Sequence, residues 1–93
     1  MFKRTKIIIN GLVQGIGFRN FLKRNALNLN LRGYAKNNKD SNVELIIEGS
    51  FESISKMIDI CKKGSPTSRI DKVLVEEQDY KGEFNSFKIL WDY

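Results

Sequence analysis

The chain has 93 residues, 41% of them hydrophobic and ten aromatic, which is enough for one domain over residues 1–93 with one core. Histidine is absent and Cys61 is the only cysteine; this excludes Ser-His and Cys-His nucleophiles, internal disulfides and the usual Cys/His zinc sites. No apolar run approaches the ~20 residues of a membrane helix, and residues 1–4 do not resemble a signal peptide. We therefore expect a cytoplasmic protein with no membrane partner.

Charge is distributed unevenly along the chain. The formal net charge is +5, yet nine basic residues precede the first acidic residue, Asp40, and seven basic with eleven acidic residues make up the remainder. The two parts therefore carry +9 and −4, which favours an anionic partner for the N-terminal part. A phosphate-bearing metabolite and a nucleic acid fit this asymmetry equally, and a solvated basic face with no ligand explains any single lysine.

The first half predicts a strand, a glycine-rich loop, a helix and a further strand. Residues 5–10 contain three consecutive isoleucines, which predict a strand buried on both faces. Three glycines within residues 11–17 indicate a loop. An apolar stripe with helical spacing follows and ends before Gly33, which we expect to close the helix. Its members are Phe18, Phe21, Leu22, Ala26 and Leu29.

The second half predicts a hairpin, a second helix and two further strands. Residues 34–37 and 43–48 flank a turn, and Glu44 and Glu48 are assigned to the solvent face of the second of these strands. Ser50 is expected to cap a helix that ends before Gly64. The stripe of this helix is Phe51, Ile54, Met57, Ile58 and Cys61. Residues 70–77 and 86–91 complete the pattern.

This order, β-α-β-β-α-β plus a C-terminal strand, predicts an α+β fold of the ferredoxin-like, split β-α-β type. In that fold an antiparallel sheet carries two helices on one face. The fold alone does not indicate a function, because metabolite binders, RNA readers and enzymes all share it.

The loop between the first strand and the first helix is the strongest candidate for a functional site. The first amides of a helix have no internal partners, and the helix dipole adds partial positive charge there, so such a junction favours an anion. Gly15 and Gly17 allow the backbone to curl around a ligand. Arg19 is unfavourable in a first turn unless an anion binds there. The alternative is a plain turn with an exposed arginine.

Three motifs resemble the acylphosphatase family over nearly the whole chain. The run GLVQGIGFR at 11–19 resembles G-x-V-Q-G-V-x-F-R, with Ile16 in place of valine. The run GYAKN at 33–37 resembles G-W-V-x-N and is followed by a match to D-G-x-V-E at residues 40–44. Residues 64–70 are similar to a third family stretch. Tyr34 and Ala35 replace Trp and Val. Ser41 replaces the glycine that the family mostly has in the hairpin turn, and its side chain disfavours the positive φ that a glycine allows there.

The resemblance implies hydrolysis of acyl phosphates to carboxylate and inorganic phosphate, without metal or cofactor. Arg19 would bind the phosphoryl group together with backbone amides, and Asn37 would orient the attacking water. The implied amides are those of Gln14, Gly15, Ile16, Gly17, Phe18 and Arg19. Inorganic phosphate would be product and competitive inhibitor, and a monomer is expected.

Two alternatives remain at this point. One is an anion-binding or RNA-binding ferredoxin-like module, although Ile7, Ile8 and Ile9 offer no aromatic ring for a base to stack on, so a nucleic-acid partner is not expected. The other is a domain that handles carbamoyl phosphate within a larger protein, as in hydrogenase maturation factors. Because the sequence ends at Tyr93 without zinc-finger cysteines, we expect the stand-alone enzyme.

Overall fold

The computed structural model describes residues 1–15 and 17–90 of the chain. Its elements are β1 (Phe2–Leu12), α1 (Phe18–Asn28), β2 (Arg32–Asn37), β3 (Val43–Ser50), α2 (Phe51–Lys63), β4 (Arg69–Gln78) and β5 (Phe87–Leu90). The strands form one sheet in the order β4-β1-β3-β2-β5. The predicted element order and the ferredoxin-like α+β fold are confirmed. Trp91, which the sequence pattern assigned to the last strand, lies outside the described residues.

The sheet is mixed, whereas the sequence predicted an antiparallel sheet. β1 pairs antiparallel with β3 and β4, and β2 pairs antiparallel with β3. β5 pairs parallel with β2. The segment after β4 reverses the chain and crosses from the β4 edge to the β2 edge, and β5 consequently runs in the direction of β2. Strand direction at an edge depends on this crossing, which local sequence does not encode.

The core lies between one face of the sheet and the two helices. Ile7 and Ile9 are fully buried on that face, and so are Leu45 and Ile47 of β3. The buried helix residues opposite them are Phe18, Leu22 and Ala26 of α1 and Ile54, Met57 and Cys61 of α2. Ile8 is only half-buried, so the prediction of burial on both faces is wrong. The helices cover one face, and successive side chains of a strand alternate between faces.

The end of the first helix also differs from the prediction. α1 ends at Asn28, and the left-handed residue after it is Asn30, with φ 58°. Gly33 lies instead within β2, at φ 146°, where a Cβ would overlap the carbonyl oxygen of Ile46 on the neighbouring strand. This glycine is therefore required by close strand approach, not by helix termination.

The second helix begins and ends as predicted. The hydroxyl of Ser50 accepts a hydrogen bond from the amide of Ser53 at 3.1 Å. Lys62 and Lys63 occupy the last turn, and Gly64 follows at φ 77°. Phe51 is the exception in the predicted apolar stripe, because 61% of it is exposed; as the first residue of α2 it lies at the edge of the core.

A buried ion pair occupies the end of the sheet where β1 begins. Arg4 Nη1 lies 3.2 Å from Glu48 Oε2, and Glu83 pairs with the same guanidinium. Glu48 is 3% exposed and also accepts from the amides of Lys81 (2.9 Å) and Gly82 (3.1 Å). The expectation that Glu48 faces solvent is therefore wrong: the segment between β4 and β5 folds over its carboxylate.

Candidate active site

The opposite end of β1 leads into the loop that the sequence singled out. Gly15 and Gly17 both adopt left-handed backbone conformations, with φ of 73° and 74°. Gly17 is the N-cap of α1, and its carbonyl accepts the first helical hydrogen bond from Phe21 N at 3.0 Å. A glycine has no side chain to cap the helix, and the first turn of α1 contains no acidic residue. The start of α1 therefore has neither a side-chain cap nor an acidic residue of its own first turn to offset its partial positive charge.

Open space lies next to both loop glycines. A Cβ built on Gly15 or Gly17 would have no described atom within 4 Å apart from those of the glycine and its two flanking residues. The space belongs to a cavity of about 210 Å³. The described residues that line it are Val13, Gly15, Gly17, Phe18, Arg19, Asn20 and Asn37. Thus the fold brings Arg19 and Asn37, which are far apart in sequence, to one cavity with the glycine loop.

Arg19 provides the positive charge of this cavity. It is the second residue of α1, and its Nη1 donates to the carbonyl oxygen of Leu90 in β5 at 3.2 Å. That bond ties the guanidinium to the edge strand beside the cavity. A guanidinium remains charged at any working pH and can donate two parallel hydrogen bonds to a phosphate.

Asn37 is the last residue of β2, and it lines the same cavity as the helix start. Its Oδ1 is buried, and no group in the described part of the chain donates a hydrogen bond to it. A buried acceptor without a partner is costly, since over nine in ten buried polar groups are satisfied. The Oδ1 of this carboxamide is thus available to accept a hydrogen bond from a bound molecule.

The remaining predicted residues divide into three groups. Gln14 does not line the cavity; its side chain bonds the turn after β2 instead. Phe18 is 1% exposed and stacks on Phe21, so only its backbone is available to a ligand. Ile16 lies outside the described residues.

Asn20 and Val13 line the cavity although sequence reasoning assigned neither to it. Asn20 was placed on the solvent face of α1 because it is polar and off the apolar stripe. Its position in the first turn was the available signal, since side chains near a helix start border whatever binds the helix amides. Val13 carries no chemical signal and is recognisable only from its place in the loop.

A larger cavity, of about 390 Å³, lies at the opposite end of the sheet beside Phe2, Glu48 and Tyr80. The carboxylate of Glu48 is already engaged there by one guanidinium and two backbone amides. None of the motif residues borders this space. The groups suited to binding a dianion are a cation and an uncapped helix start, and both lie at the smaller cavity.

Cys61, the only thiol, does not line this cavity. It is fully buried in α2, and burial raises its pKa to about 12. The thiolate form, which a nucleophile requires, is therefore suppressed near neutral pH.

Neither described helix has the length and apolar content that crossing a membrane requires.

The comparisons with known proteins agree with the motif analysis. The acylphosphatase family model matches residues 5–89. An acylphosphatase of Syntrophobacter fumaroxidans is 38% identical over 87 residues, covering 94% of this chain and 90% of that protein. The crystal structure of acylphosphatase from Bacillus subtilis superposes with a TM-score of 0.91 at 33% identity, covering 98% of this chain and 100% of the other.

A similar domain occurs within a much larger protein. The structure of full-length HypF in the phosphate- and nucleotide-bound form matches with a TM-score of 0.89 at 35% identity. The match covers 98% of this chain but 12% of HypF. The same architecture therefore exists both at this chain length and as a small part of a longer polypeptide.

Proposed function

The chain belongs to the acylphosphatase family and is an enzyme of that class, a hydrolase, and we infer that it hydrolyses acyl phosphates in the cavity described above without a metal ion. The observation that carries this proposal is the convergence of Gly15, Gly17, Arg19 and Asn37 on one cavity of about 210 Å³. The first turn of α1 offers a guanidinium and an uncapped helix start, and the end of β2 offers a carboxamide. The reaction yields a carboxylate and inorganic phosphate.

The phosphoryl group binds at the start of α1. In the proposed complex the backbone amides of residues 14–19 donate to its oxygens, and Arg19 supplies the charge that balances them. Left-handed Gly15 and Gly17, with open space beside them, support this role because the ligand can approach the backbone closely. These dipoles are fixed before substrate arrives, which makes them effective for charge that develops in the transition state.

Asn37 orients the attacking water. Its buried Oδ1 accepts a hydrogen bond from the water, which attacks phosphorus roughly in line with the departing acyl oxygen. The bond from phosphorus to that oxygen breaks, and the carboxylate leaves with the electron pair. The proton of the water passes to a phosphoryl oxygen of the substrate itself.

No strong general acid is needed for this reaction, because a carboxylate is a good leaving group. The described residues around the cavity are cationic or neutral and include no carboxylate, so they offer a divalent metal no charged ligand. We accordingly expect catalysis to rest on positioning and fixed dipoles, with no metal and no cofactor.

The first experiment measures phosphate release from benzoyl phosphate by the purified protein in the presence of EDTA. We expect turnover that EDTA does not reduce, and competitive inhibition by added inorganic phosphate, the product. Loss of turnover on chelation, with recovery on adding Mg²⁺, would overturn the metal-independent mechanism.

The second experiment tests the role of Asn37. Asn37→Ala should lower kcat by about 10² to 10³, the usual effect of losing one preorganised group, while the inhibition constant of phosphate changes little. The control is Asn28→Ala, at the exposed end of α1. A parallel loss of phosphate affinity and kcat in Asn37→Ala would contradict a role confined to the water.

Arg19, Asn37 and the glycine loop of one chain supply every group that the proposed reaction uses, and we expect a cytoplasmic monomer. Carbamoyl phosphate, the alternative that the sequence left open, is a second candidate substrate for the same cavity. Measuring kcat/KM for carbamoyl and benzoyl phosphate side by side decides between them. A preference for the benzoyl compound supports a general acylphosphatase, and a strong preference for the carbamoyl compound contradicts it.

A further inference from the structure

We propose that the side chain of Gln14 is a positioning residue, which holds Asn37 in place relative to the phosphate loop. The proposal rests on the function inferred above for Asn37. Gln14 Nε2 donates to two carbonyl oxygens of the turn that follows β2: Asn38 at 3.1 Å and Asn42 at 3.0 Å. Asn38 directly follows Asn37, so one of the two bonds holds the backbone one residue beyond Asn37.

Sheet pairing does not hold these two segments together. The β1–β3 ladder ends at Ile9 opposite Val43. β1 continues beside β4 instead, with a register shift between Asn10 and Gly11, and reaches Leu12 opposite Arg69. β1 thus stops pairing with β3 at Val43, the residue that directly follows the 38–42 turn. The amide of Gln14 spans this gap.

The turn itself is closed by its own hydrogen bonds. Asn38 N donates to the carbonyl of Asn42 at 2.9 Å, and Ser41 N donates to the carbonyl of Asn38 at 3.1 Å. The side chain of Asn38 adds a bond to Asn42 Oδ1 at 2.8 Å. Gln14 bonds the same two carbonyls that close the turn, and it thereby fastens the turn to the loop as one unit.

A glutamine suits this role because both N–H groups of its amide are donors and both targets are acceptors. A methionine has nearly the same length and no donor, and a glutamate has the same shape but no N–H. Either substitution removes the two hydrogen bonds from residue 14 to the carbonyl oxygens of Asn38 and Asn42. A displacement of Asn37 of about 1 Å is enough to cost about 10²-fold in rate.

The test compares Gln14→Met and Gln14→Glu with the wild type on benzoyl phosphate. We expect kcat to fall about 10- to 100-fold in both, while the inhibition constant of inorganic phosphate in Gln14→Met stays within about threefold. The matched control is Gln78→Met. Gln78 accepts from Arg4 Nε at 2.9 Å at the other end of the sheet, and its loss should lower thermal stability without changing kcat.

A double-mutant cycle separates positioning from general loosening of the structure. If Gln14 acts through Asn37, adding Gln14→Met to Asn37→Ala should change kcat by less than about twofold, because the group being positioned is already gone. A full further loss in the double variant would overturn the proposal, and so would near-normal kcat in Gln14→Met. The underlying function fails separately, if the wild type does not hydrolyse benzoyl phosphate or Asn37→Ala is fully active.

Discussion

The two helices begin at opposite ends of the sheet, and their starts are built differently. α2 has a serine cap, a glutamate in its first turn, and lysines in its last. α1 has a left-handed glycine as N-cap, no side-chain cap, and an arginine in its first turn. Every feature of α2 stabilises a helix by itself. The α1 start has no side-chain cap, and it places a cation where the helix dipole disfavours one unless an anion binds there. The start of α1 is thus locally less stable than the start of α2, as expected for a site that binds an anion.

The same contrast extends to the neighbouring side chains. Near the start of α2, Glu48 has three hydrogen-bond donors around one oxygen. Near the start of α1, Asn37 Oδ1 is buried with no donor among the described residues. One end of the sheet is internally satisfied, and in the proposed mechanism the substrate supplies the missing partners at the other end. Substitutions at the first should therefore change stability, and substitutions at the second should change activity.

Arg19→Ala should have the largest effect. It removes the charge that balances the phosphoryl group, so we expect kcat/KM for benzoyl phosphate to fall by at least about 10³, with KM raised and kcat lowered. Arg24→Ala, which removes an exposed arginine from the same helix, is the control and should keep most of the activity. Near-normal hydrolysis by Arg19→Ala would show that the helix start alone binds the phosphate.

Glu48→Gln should have the next largest effect, on stability alone. It leaves Arg4 buried with one carboxylate fewer, and removing one partner of a buried pair costs about 3 to 5 kcal/mol. We expect the lower end, because Glu83 stays paired with Arg4. Urea unfolding measures this loss, and kcat of the folded variant should be unchanged. Glu76→Gln, at an exposed position of β4, should shift the unfolding free energy by less than about 0.5 kcal/mol.

The stability from Glu48 should depend on pH. Burial by itself would raise the pKa of Glu48, but the amide of Lys81, the guanidinium of Arg4 and the amide of Gly82 outweigh it and lower the pKa below its ordinary 4.5. A lowered folded-state pKa stabilises the protein above the ordinary value, and that stability is lost as pH falls through the folded pKa. The difference in unfolding free energy between the wild type and Glu48→Gln should thus become smaller below about pH 4.5. A constant gap down to pH 3 would contradict the ion pair as its cause.

These residues also mark how far the sequence could be interpreted. Both helix starts and the motif positions Arg19 and Asn37 were predicted, because caps, glycines and apolar periodicity act locally and the family motifs have fixed spacing. The burial of Glu48 was not predicted, since it depends on the distant segment around Lys81 folding over the sheet. The bond from Gln14 to the 38–42 turn was equally hidden, because the motif specifies the residue but not its partners.

Ser50→Ala tests whether the start of α2 affects stability alone. Losing an N-cap side chain costs about 1 kcal/mol, or roughly 4 to 8 °C in Tm for a domain of this size. Activity should be retained, since the cap lies at the end of the sheet remote from the cavity. Ser55→Ala, within α2, is the control and should leave Tm unchanged or slightly higher, because alanine favours helix interiors. A drop in kcat with Ser50→Ala would show that the two ends are coupled.

The smallest expected effect is a gain in stability at Ser41. This residue occupies the hairpin turn at φ 71°, a left-handed conformation that disfavours every side chain with a Cβ. Glycine adopts it without steric cost but loses more backbone entropy on folding, so Ser41→Gly should raise the unfolding free energy by about 0.5 kcal/mol. Ser55→Gly, the same substitution in a helix, should lower it by a similar amount. If both variants lose stability, the serine contributes more to the turn than its backbone strain costs. If instead Ser41→Gly gains stability and loses kcat, the stiffness of the turn beside Asn37 serves catalysis.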